Sequence, residues 1–244
     1  KDGLIYVKYT NHEDVFEWEV LYLTENGEKN LFSGTCKDFL LLPSLTLLNE
    51  VPVSLWINDK EGTSGMNTMS DLEVKTVVKK DTNWLMNTTI ATNYDEICFA
   101  VRGDSKYAEL VVANEAGIVS QVRMDGKINS YALTKDYILC GLRDWEETGK
   151  CHILRYDFKA DEKENFSTQG ELYRMCGGTK NDALCVDMHF NIYRIDGDAG
   201  RLEKINGVFG FANMPVVFRP IFDNQVICAY LKDDIYSYYL LRLE

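Results

Sequence analysis

Positive charge is scarce in this 244-residue chain, which has 26 Lys and Arg residues against 38 Asp and Glu residues and a net charge of −12. A nucleic-acid binder presents a basic surface that releases counterions from phosphates. The charge balance therefore argues against a nucleic-acid partner. An anionic membrane surface is disfavoured for the same reason.

Long hydrophobic runs are also lacking. The most apolar stretch, residues 39–48, contains Pro43, Ser44 and Thr46, whereas a membrane-spanning helix needs about 20 consecutive apolar residues. The sequence predicts no transmembrane segment. It starts at Lys1 without a basic and apolar leader, and we interpret it as a processed product or an excerpt of a longer chain.

Motifs for the common enzyme chemistries are missing. The sequence has no Gly-x-Ser-x-Gly elbow, no P-loop and no Gly-x-Gly-x-x-Gly, and its three histidines are scattered at His12, His152 and His189. Hydrolase, phosphate-binding and dinucleotide-binding functions therefore have no motif in their support. We expect no cofactor.

What the sequence does contain is a succession of short apolar and aromatic runs, broken by clusters of Asn, Asp, Gly and Lys. No long stretch has the 3.6-residue periodicity of an amphipathic helix. Asn26-Gly27 and Asp125-Gly126 predict tight hairpin turns, because these residues tolerate positive φ. The pattern predicts an all-β protein.

An internal repeat is the strongest signal in the sequence. Four cysteines end similar apolar phrases at intervals of 42, 45 and 43 residues: Cys98, Cys140, Cys185 and Cys228. Extrapolation of this period places two earlier repeat positions near Leu47 and Tyr6. Short strands that repeat every 40 to 50 residues or so are typical of β-propeller blades. We predict one β-propeller domain of about six blades over residues 1–244. A β-sandwich is the alternative, but it offers no reason for this repeat.

Residues 192–198 and 119–127 each contain a strand followed by an Asp-Gly turn, and residues 21–27 match this phrase more loosely. These phrases are similar to those of six-bladed TolB-like and YWTD-type β-propellers. The resemblance implies a bacterial propeller of the kind found in extracytoplasmic or surface-anchored proteins. Such propellers are generally used for binding and often have no assigned role.

The cysteines are interpreted as buried free thiols. Equivalent positions on packed sheets lie about 10 Å apart, whereas a disulfide needs Cα atoms within about 7 Å. Cys140 and Cys151 are the one pair expected on neighbouring strands of one blade. The odd cysteine count and the lack of Cys-x-x-Cys disfavour a disulfide framework and a zinc site. Free thiols favour the cytoplasm and the resemblance favours an extracytoplasmic location, so the localisation stays unknown.

Asp144, Trp145 and Glu146 are the candidate ligand-binding residues. A Trp between carboxylates offers an aromatic platform for a sugar or a cationic peptide, although a solvated acidic loop is the simpler interpretation. Asp196 and Asp198, beside glycines, resemble the start of a calcium loop. The twelfth position of such a loop needs a Glu, so a hairpin turn is favoured and no metal is expected.

The predicted function is a non-catalytic binding or interaction module, in which loops at the ends of the propeller channel recognise a protein or a small ligand. The alternative is a propeller enzyme, a glycosidase or a peptide-acting enzyme, that uses carboxylates such as Asp144 and Glu146. A binding site should be lined by uncharged polar and aromatic groups. An enzyme site should bring two carboxylates, or a base and a nucleophile, into one cavity.

Overall fold

The computed structural model describes residues 3–70, 73–102, 107–143, 151–167, 172–177, 180–187, 191–205, 217–222, 225–232 and 235–242. These residues form β-strands and one short 3₁₀-helix, Phe39–Leu41. No helix in this part of the chain has the length and apolar character needed to cross a membrane. The prediction of an all-β protein is confirmed.

The chain folds into two compact units. The first unit comprises Lys1–Ile90, Asp95–Asp104 and Glu109–Arg123, and the second comprises Ala91–Tyr94, Ser105–Ala108 and Met124–Glu244.

The first three sheets follow one another along the chain. Sheet 1 has the strand order β1-β2-β3, with β1 (Leu4–His12), β2 (Val15–Thr24) and β3 (Gly27–Cys36). Sheet 2 has the order β4-β5-β6-β7, with β4 (Ser44–Leu48), β5 (Val51–Asn58), β6 (Thr63–Ser70) and β7 (Glu73–Asp81). Sheet 3 has the order β11-β10-β9-β8, with β8 (Ala91–Thr92), β9 (Ile97–Arg102), β10 (Tyr107–Asn114) and β11 (Gly117–Asp125).

Three further sheets complete the described chain. Sheet 4 has the order β12-β13-β14-β15, with β12 (Lys127–Leu133), β13 (Tyr137–Arg143), β14 (Cys151–Asp157) and β15 (Glu162–Ser167). Sheet 5 has the order β16-β17-β18-β19, with β16 (Leu172–Cys176), β17 (Asp182–Asp187), β18 (Ile192–Asp196) and β19 (Arg201–Lys204). Sheet 6 has the order β20-β21-β22, with β20 (Val217–Phe222), β21 (Gln225–Lys232) and β22 (Ile235–Arg242).

Glycines allow two of the chain reversals, and one of them differs from the prediction. Gly27 has φ +113° and follows the turn between β2 and β3, so the predicted hairpin forms there. Gly126 has φ +128°, but it joins β11 of sheet 3 to β12 of sheet 4. The predicted Asp125-Gly126 hairpin is therefore wrong. A positive φ permits any tight reversal, and the residue type does not say which strands the reversal connects.

The repeated cysteines occupy equivalent places. Each lies on the second strand of its sheet and is buried: Cys98 on β9, Cys140 on β13, Cys185 on β17 and Cys228 on β21. On β5, the second strand of sheet 2, the fourth residue is the buried Ser54. Leu47 lies one strand earlier, on β4, and Tyr6 lies on β1. The extrapolated position near Leu47 thus falls short of the matching strand.

Apolar side chains on the inward faces of the strands form the cores. In the first unit, one cluster includes Phe99, Leu55 and Met66, and another centres on Trp18 and Trp56. In the second unit, a cluster of small and branched residues joins sheets 4 and 5: Ala132, Leu139, Ile153, Leu172, Met175, Ala183, Cys185 and Ile195. Because successive residues of a strand point to opposite faces, the unbroken runs of buried residues on β5, β9 and β17 show that both faces of these strands are covered.

The cysteines whose side chains are described are free and buried: Cys36, Cys98, Cys140, Cys176, Cys185 and Cys228. Cys140 lies opposite Leu154, and Cys151 lies opposite Arg143, so these two cysteines are on neighbouring strands but are not cross-strand partners. Burial raises the pKa of Cys36 to about 11 and that of Cys228 to about 12. Since the thiolate is the reactive form, these thiols should be inert in the folded protein.

We expect a thiol-specific reagent to modify all seven cysteines in denaturant without prior reduction, and at most one of them rapidly in the native protein. Titration with Ellman's reagent at pH 8, with and without guanidinium chloride, measures both numbers. Fewer than seven groups after unfolding would indicate a disulfide. Rapid reaction of several groups in the native state would contradict their burial.

Candidate functional site

Two clefts lie at opposite ends of the strands of sheets 1 and 2, both within the first unit. The first, called here the apolar cleft, has a volume of about 980 Å³ and is lined by residues 3–5, 22, 24, 45–47, 50–52, 69 and 70. Ligand-binding pockets commonly measure about 300–1,000 Å³. The apolar cleft is therefore large enough for a small molecule or a short peptide.

Strand ends and one tight turn position the lining of the apolar cleft. Leu4 and Ile5 begin β1, and Tyr22 lies near the end of β2. Leu48 pairs with Val51 across a two-residue turn, Asn49-Glu50, in which both residues have positive φ. This turn conformation matches the twist of paired strands. It places Glu50 at the cleft.

The apolar cleft combines exposed apolar side chains with a few polar groups. Leu4 is 59% exposed and Leu47 is 53% exposed. Among the described residues of the lining, the polar groups are mainly uncharged, such as the hydroxyls of Tyr22 and Thr24, and Glu50 supplies a carboxylate. Contact of a ligand with the exposed leucines would be favourable, because it removes apolar surface from water.

The second cleft, called here the charged cleft, has a volume of about 530 Å³ and charged residues of both signs in its lining: Lys8, Glu17, Glu19, Lys60 and Glu61. Trp18 also lines it but is 1% exposed, and its indole N–H donates to the carbonyl of Ile57 at 3.1 Å. Glu17 faces His12 at 3.5 Å, and Glu19 accepts a hydrogen bond from Asn30 at 2.7 Å. The charged cleft brings several carboxylates together, but in an exposed setting.

A hydrogen-bonded cluster joins the turns of sheets 4 and 5 in the second unit. The Asn181 amide donates to Asp136 at 3.0 Å and to Asp198 at 2.9 Å, and its oxygen accepts from the Asp136 N–H at 3.0 Å. Lys159 donates to Asp136 at 2.6 Å. These hydrogen bonds from Lys159 and Asn181 lower the pKa of the Asp136 carboxyl. Because its members satisfy one another, the cluster serves to hold the turns together.

Asp198 and Asp196, the calcium candidates, both have protein partners. Asp198 accepts from the Tyr137 hydroxyl at 3.0 Å as well as from Asn181. Asp196 accepts from the Ala199 N–H at 2.9 Å, as expected for a turn residue, and faces Arg201 at 3.9 Å. No group of three or more metal-binding side chains occurs among the residues that the structure describes.

The other predicted site residues, Asp144, Trp145 and Glu146, fall between β13 and β14 in the sequence and lie outside the described residues. Sequence reasoning gave Leu4, Tyr22 and Glu50 no role, and it treated Leu47 as a repeat position only. Leucines in a strand pattern predict a core, and the sequence carries no signal that Leu4 and Leu47 face solvent. Only the exposure of Leu4 and Leu47 separates them from the buried leucines.

Comparisons with known proteins match the architecture. No family model matches the chain, and no curated protein matches it. Among solved structures, it is similar to the β-propeller domain of the Trilobed protease from Pyrococcus furiosus, which has an open velcro topology. The TM-score is 0.62 at 9% identity, over 99% of this chain and 82% of that one.

Two further similarities agree with the first. Acylaminoacyl peptidase from Pyrococcus horikoshii matches with a TM-score of 0.60 and 13% identity, over 98% of this chain. The match covers 45% of the peptidase chain, so this chain spans less than half of its length. An oligogalacturonate lyase in complex with manganese matches with a TM-score of 0.54 and 10% identity, over 95% of this chain and 74% of that one.

These identities are too low to transfer an activity, and the likeness shows the fold alone. The fold is a β-propeller, as the repeat predicted, and not a β-sandwich. Six sheets among the described residues agree with about six blades.

Proposed function

We propose that this chain is a non-catalytic binding module, which takes a mainly apolar ligand in the apolar cleft. The observation that supports this proposal is the lining of the cleft. In the described part of the lining, the exposed Leu4 and Leu47 lie beside uncharged polar groups and one carboxylate, that of Glu50. An apolar pocket with a few polar groups that orient the ligand is typical of a binding site.

The electrostatics favour a neutral or cationic ligand. Glu50 is the charged residue among the lining residues that the structure describes, and the whole chain carries a net charge of −12. A negative potential raises the local concentration of cations and lowers that of anions. A peptide segment with apolar side chains and a Lys or Arg suits this surface better than a fatty acid or a phosphorylated compound.

An enzyme is the second candidate, and the charged cleft is the observation in its favour. Glu17 and Glu19 lie two residues apart on β2, so their Cα atoms are about 7 Å apart. The similar structures include the propeller domain of a protease, a peptidase and a lyase. The side chain of Glu17 is 65% exposed, however, and catalytic electrostatics work best where water is excluded. Asp144 and Glu146 remain the predicted carboxylates of the enzyme alternative.

Residues 1–244 are proposed to form one propeller domain, in which Cys98, Cys140, Cys185 and Cys228 mark equivalent positions on the second strands of sheets 3 to 6. The TolB-like or YWTD-type class stays a prediction, since the matched structures share only the fold. Trp145 with its flanking carboxylates stays a hypothesis for a second ligand contact.

Replacement of Leu47 by Asp should strongly lower the affinity of the apolar cleft for an apolar probe. Leu47 is 53% exposed, so its replacement leaves the core intact, but it places a charge where the ligand packs. We expect the affinity for N-phenyl-1-naphthylamine, a neutral dye that fluoresces in apolar sites, to fall at least about tenfold. A fluorescence titration measures this change.

The matched control is Val119→Asp. Val119 is 46% exposed, lies on β11 and does not line the apolar cleft. The Val119→Asp protein should bind the dye with the same affinity as the unchanged protein. Equal losses in both variants, or no binding by the unchanged protein, would contradict the proposal. Cleavage of a glycoside or a peptide that is lost in Glu17→Gln or Glu19→Gln protein would favour the enzyme instead.

A further inference from the structure

Three aromatic side chains form a group at the end of sheet 1 where β1 turns into β2. They are Tyr9 on β1, Phe16 on β2 and Phe39 in the 3₁₀-helix that follows β3. Their ring centroids lie 6.0 Å apart for Tyr9 and Phe16, 5.8 Å apart for Tyr9 and Phe39, and 6.2 Å apart for Phe16 and Phe39. Each ring thus contacts both of the others. The three residues are called here the aromatic triad.

The aromatic triad is exposed to solvent. Tyr9 is 48% exposed and Phe39 is 57% exposed. Two aliphatic residues next to the triad in the sequence are exposed as well, Val15 by 37% and Leu40 by 69%. Aromatic and aliphatic residues of this size normally bury most of their surface. An exposed apolar patch of this kind commonly marks an interaction site.

Packing and hydrogen bonds hold the triad in place before any ligand binds. Phe16 packs on a buried core cluster of the first unit. The 3₁₀-helix that carries Phe39 is capped by Asp38, whose carboxylate accepts a backbone N–H of that helix at 2.8 Å. The Thr88 hydroxyl donates to the carbonyl of Leu42, directly after the helix, at 2.5 Å. A site that is already ordered loses little conformational entropy when a ligand binds.

The rings of the triad are steeply inclined to one another, with interplanar angles of 59°, 76° and 67°. They therefore do not stack, and a ligand on their exposed side can contact more than one ring. A positive charge just above the three centroids would lie about 4 to 5 Å from each, and a cation is attracted to an aromatic ring within about 6 Å of its centroid. Several aromatic rings around one charge are the usual recognition site for a quaternary ammonium group.

The charges around the triad are complementary to a cation. Glu13 and Asp14 form the turn between β1 and β2, Asp38 directly precedes Phe39, and the three acidic residues are exposed. Lys37 is the one basic residue in these two connecting segments, 13–14 and 37–38. The chain as a whole carries a net charge of −12. A negative potential raises the local concentration of cations and lowers that of anions.

We infer that the aromatic triad binds the quaternary ammonium group of a small organic cation. The methyl groups of such a cation contact the rings, and the carboxylates of the two connecting segments attract its charge. A primary ammonium suits the triad less well, because it has three N–H donors for which aromatic rings are poor acceptors. The triad does not line the apolar cleft, so this inference does not rest on the proposed function.

Choline and its neutral analogue 3,3-dimethylbutan-1-ol, in which carbon replaces the nitrogen, test the inference. The two molecules have the same shape, so the difference between their affinities measures the effect of the charge. Titrations followed by saturation-transfer NMR should show that choline binds at least about fivefold more tightly than the alcohol. Low ionic strength is needed, because salt screens the exposed carboxylates.

Phe39→Leu keeps an apolar side chain but removes one ring from the triad. Because Phe39 is 57% exposed, this variant should fold like the unchanged protein. Its affinity for choline should fall at least about threefold, and its affinity for the alcohol should change by less than about twofold. The matched control is Tyr238→Leu, which removes a 65% exposed ring on β22, outside the triad. The control should bind choline with the same affinity as the unchanged protein.

Three results would overturn the inference. Equal affinities for choline and the alcohol would show that the patch binds apolar groups without regard to charge. Full affinity for choline in the Phe39→Leu protein would place the ammonium site elsewhere. Failure of the unchanged protein to bind choline would be the third. Leu47→Asp should leave choline binding unchanged, because Leu47 belongs to the apolar cleft, and none of the three results affects the proposed function.

Discussion

Replacing Trp18 by Phe is expected to lower the free energy of unfolding by about 3 kcal/mol. Trp18 is 1% exposed, and its ring packs edge-on against Phe32. Its indole N–H donates to the carbonyl of Ile57, which belongs to sheet 2. Phe cannot donate this hydrogen bond, so the variant leaves a buried carbonyl unsatisfied and a cavity beside it. Urea-induced unfolding, followed by tryptophan fluorescence and circular dichroism, measures the change.

Gly34 provides an independent test of the same contact. A Cβ at Gly34 would lie 2.4 Å from Cζ2 and 2.9 Å from Cη2 of Trp18, two atoms that Phe does not have. Gly34→Ala alone should destabilise the protein by about 2 kcal/mol. In the Trp18→Phe background that loss should shrink by about 1 kcal/mol. If Gly34→Ala lowers the free energy of unfolding equally in both backgrounds, within about 0.5 kcal/mol, the two residues do not share this space.

Gly197→Ala is expected to destabilise the second unit by about 3 kcal/mol, with a fall in Tm of roughly 6 to 12 °C. A Cβ at Gly197 would lie 2.2 Å from the backbone oxygen of Asn181, which accepts the Gly197 N–H at 3.0 Å. Relief of this clash requires one turn to move away from the other. That movement would also break the hydrogen bonds between Asn181 and Asp198 and between Arg155 and the Gly197 carbonyl.

The control is Gly200→Ala, three residues away in the same turn. Gly200 has φ +61°, and its nearest neighbour, a Phe166 ring atom, would be 3.8 Å from the new Cβ. Ala at this site meets no clash, and its backbone strain costs about 1 kcal/mol. Differential scanning calorimetry compares the two variants. If the Tm of the Gly197→Ala protein is not lower than that of the Gly200→Ala protein, the close approach of the two turns is refuted.

Turn-to-turn contacts of this kind connect successive sheets within the second unit. The Asn93 amide donates to the carbonyl of Thr134 at 2.8 Å, and the Lys135 N–H donates to the carbonyl of Lys180 at 3.2 Å. These residues precede the second strands of sheets 3, 4 and 5, where the repeated cysteines lie. The residues before Cys140 and Cys185 therefore link sheets 4 and 5.

The candidate binding site belongs to a different part of the molecule from these links. The apolar cleft lies in the first unit, at the ends of strands of sheets 1 and 2. Binding residues commonly lie in turns and strand ends on a rigid scaffold, because the scaffold holds them in place without using them for packing. If a ligand occupies the apolar cleft, its binding should also stabilise the first unit.

The repeat was readable from the sequence because a buried position on a blade accepts few residue types. Cys98, Cys140, Cys185 and Cys228 each lie where a strand is covered on both sides, and such a site selects small apolar side chains. The extrapolated position near Leu47 missed the matching strand of sheet 2, where the buried Ser54 lies 44 residues before Cys98. The spacing is thus kept in sheet 2, but Ser in place of Cys hid this repeat from the sequence pattern.

The candidate site was not readable in this way. Leu47 of the apolar cleft and Leu48 of the core are adjacent leucines, yet one is 53% exposed and the other is fully buried. The alternation of a strand says that their side chains point to opposite faces. It does not say which face a neighbouring sheet covers, because that depends on how the sheets pack.

By itself, the amino-acid sequence determined that this protein is all-β, that it repeats about every 43 residues and that its cysteines lie in equivalent buried places, because short-range alternation and burial act on each strand separately. Only the tertiary structure decided which apolar surface of the first unit stays exposed. The physical reason is that the exposure of a leucine is defined by what lies next to it in space, and residues such as Ile5 and Leu45 are brought together across 40 positions of the chain.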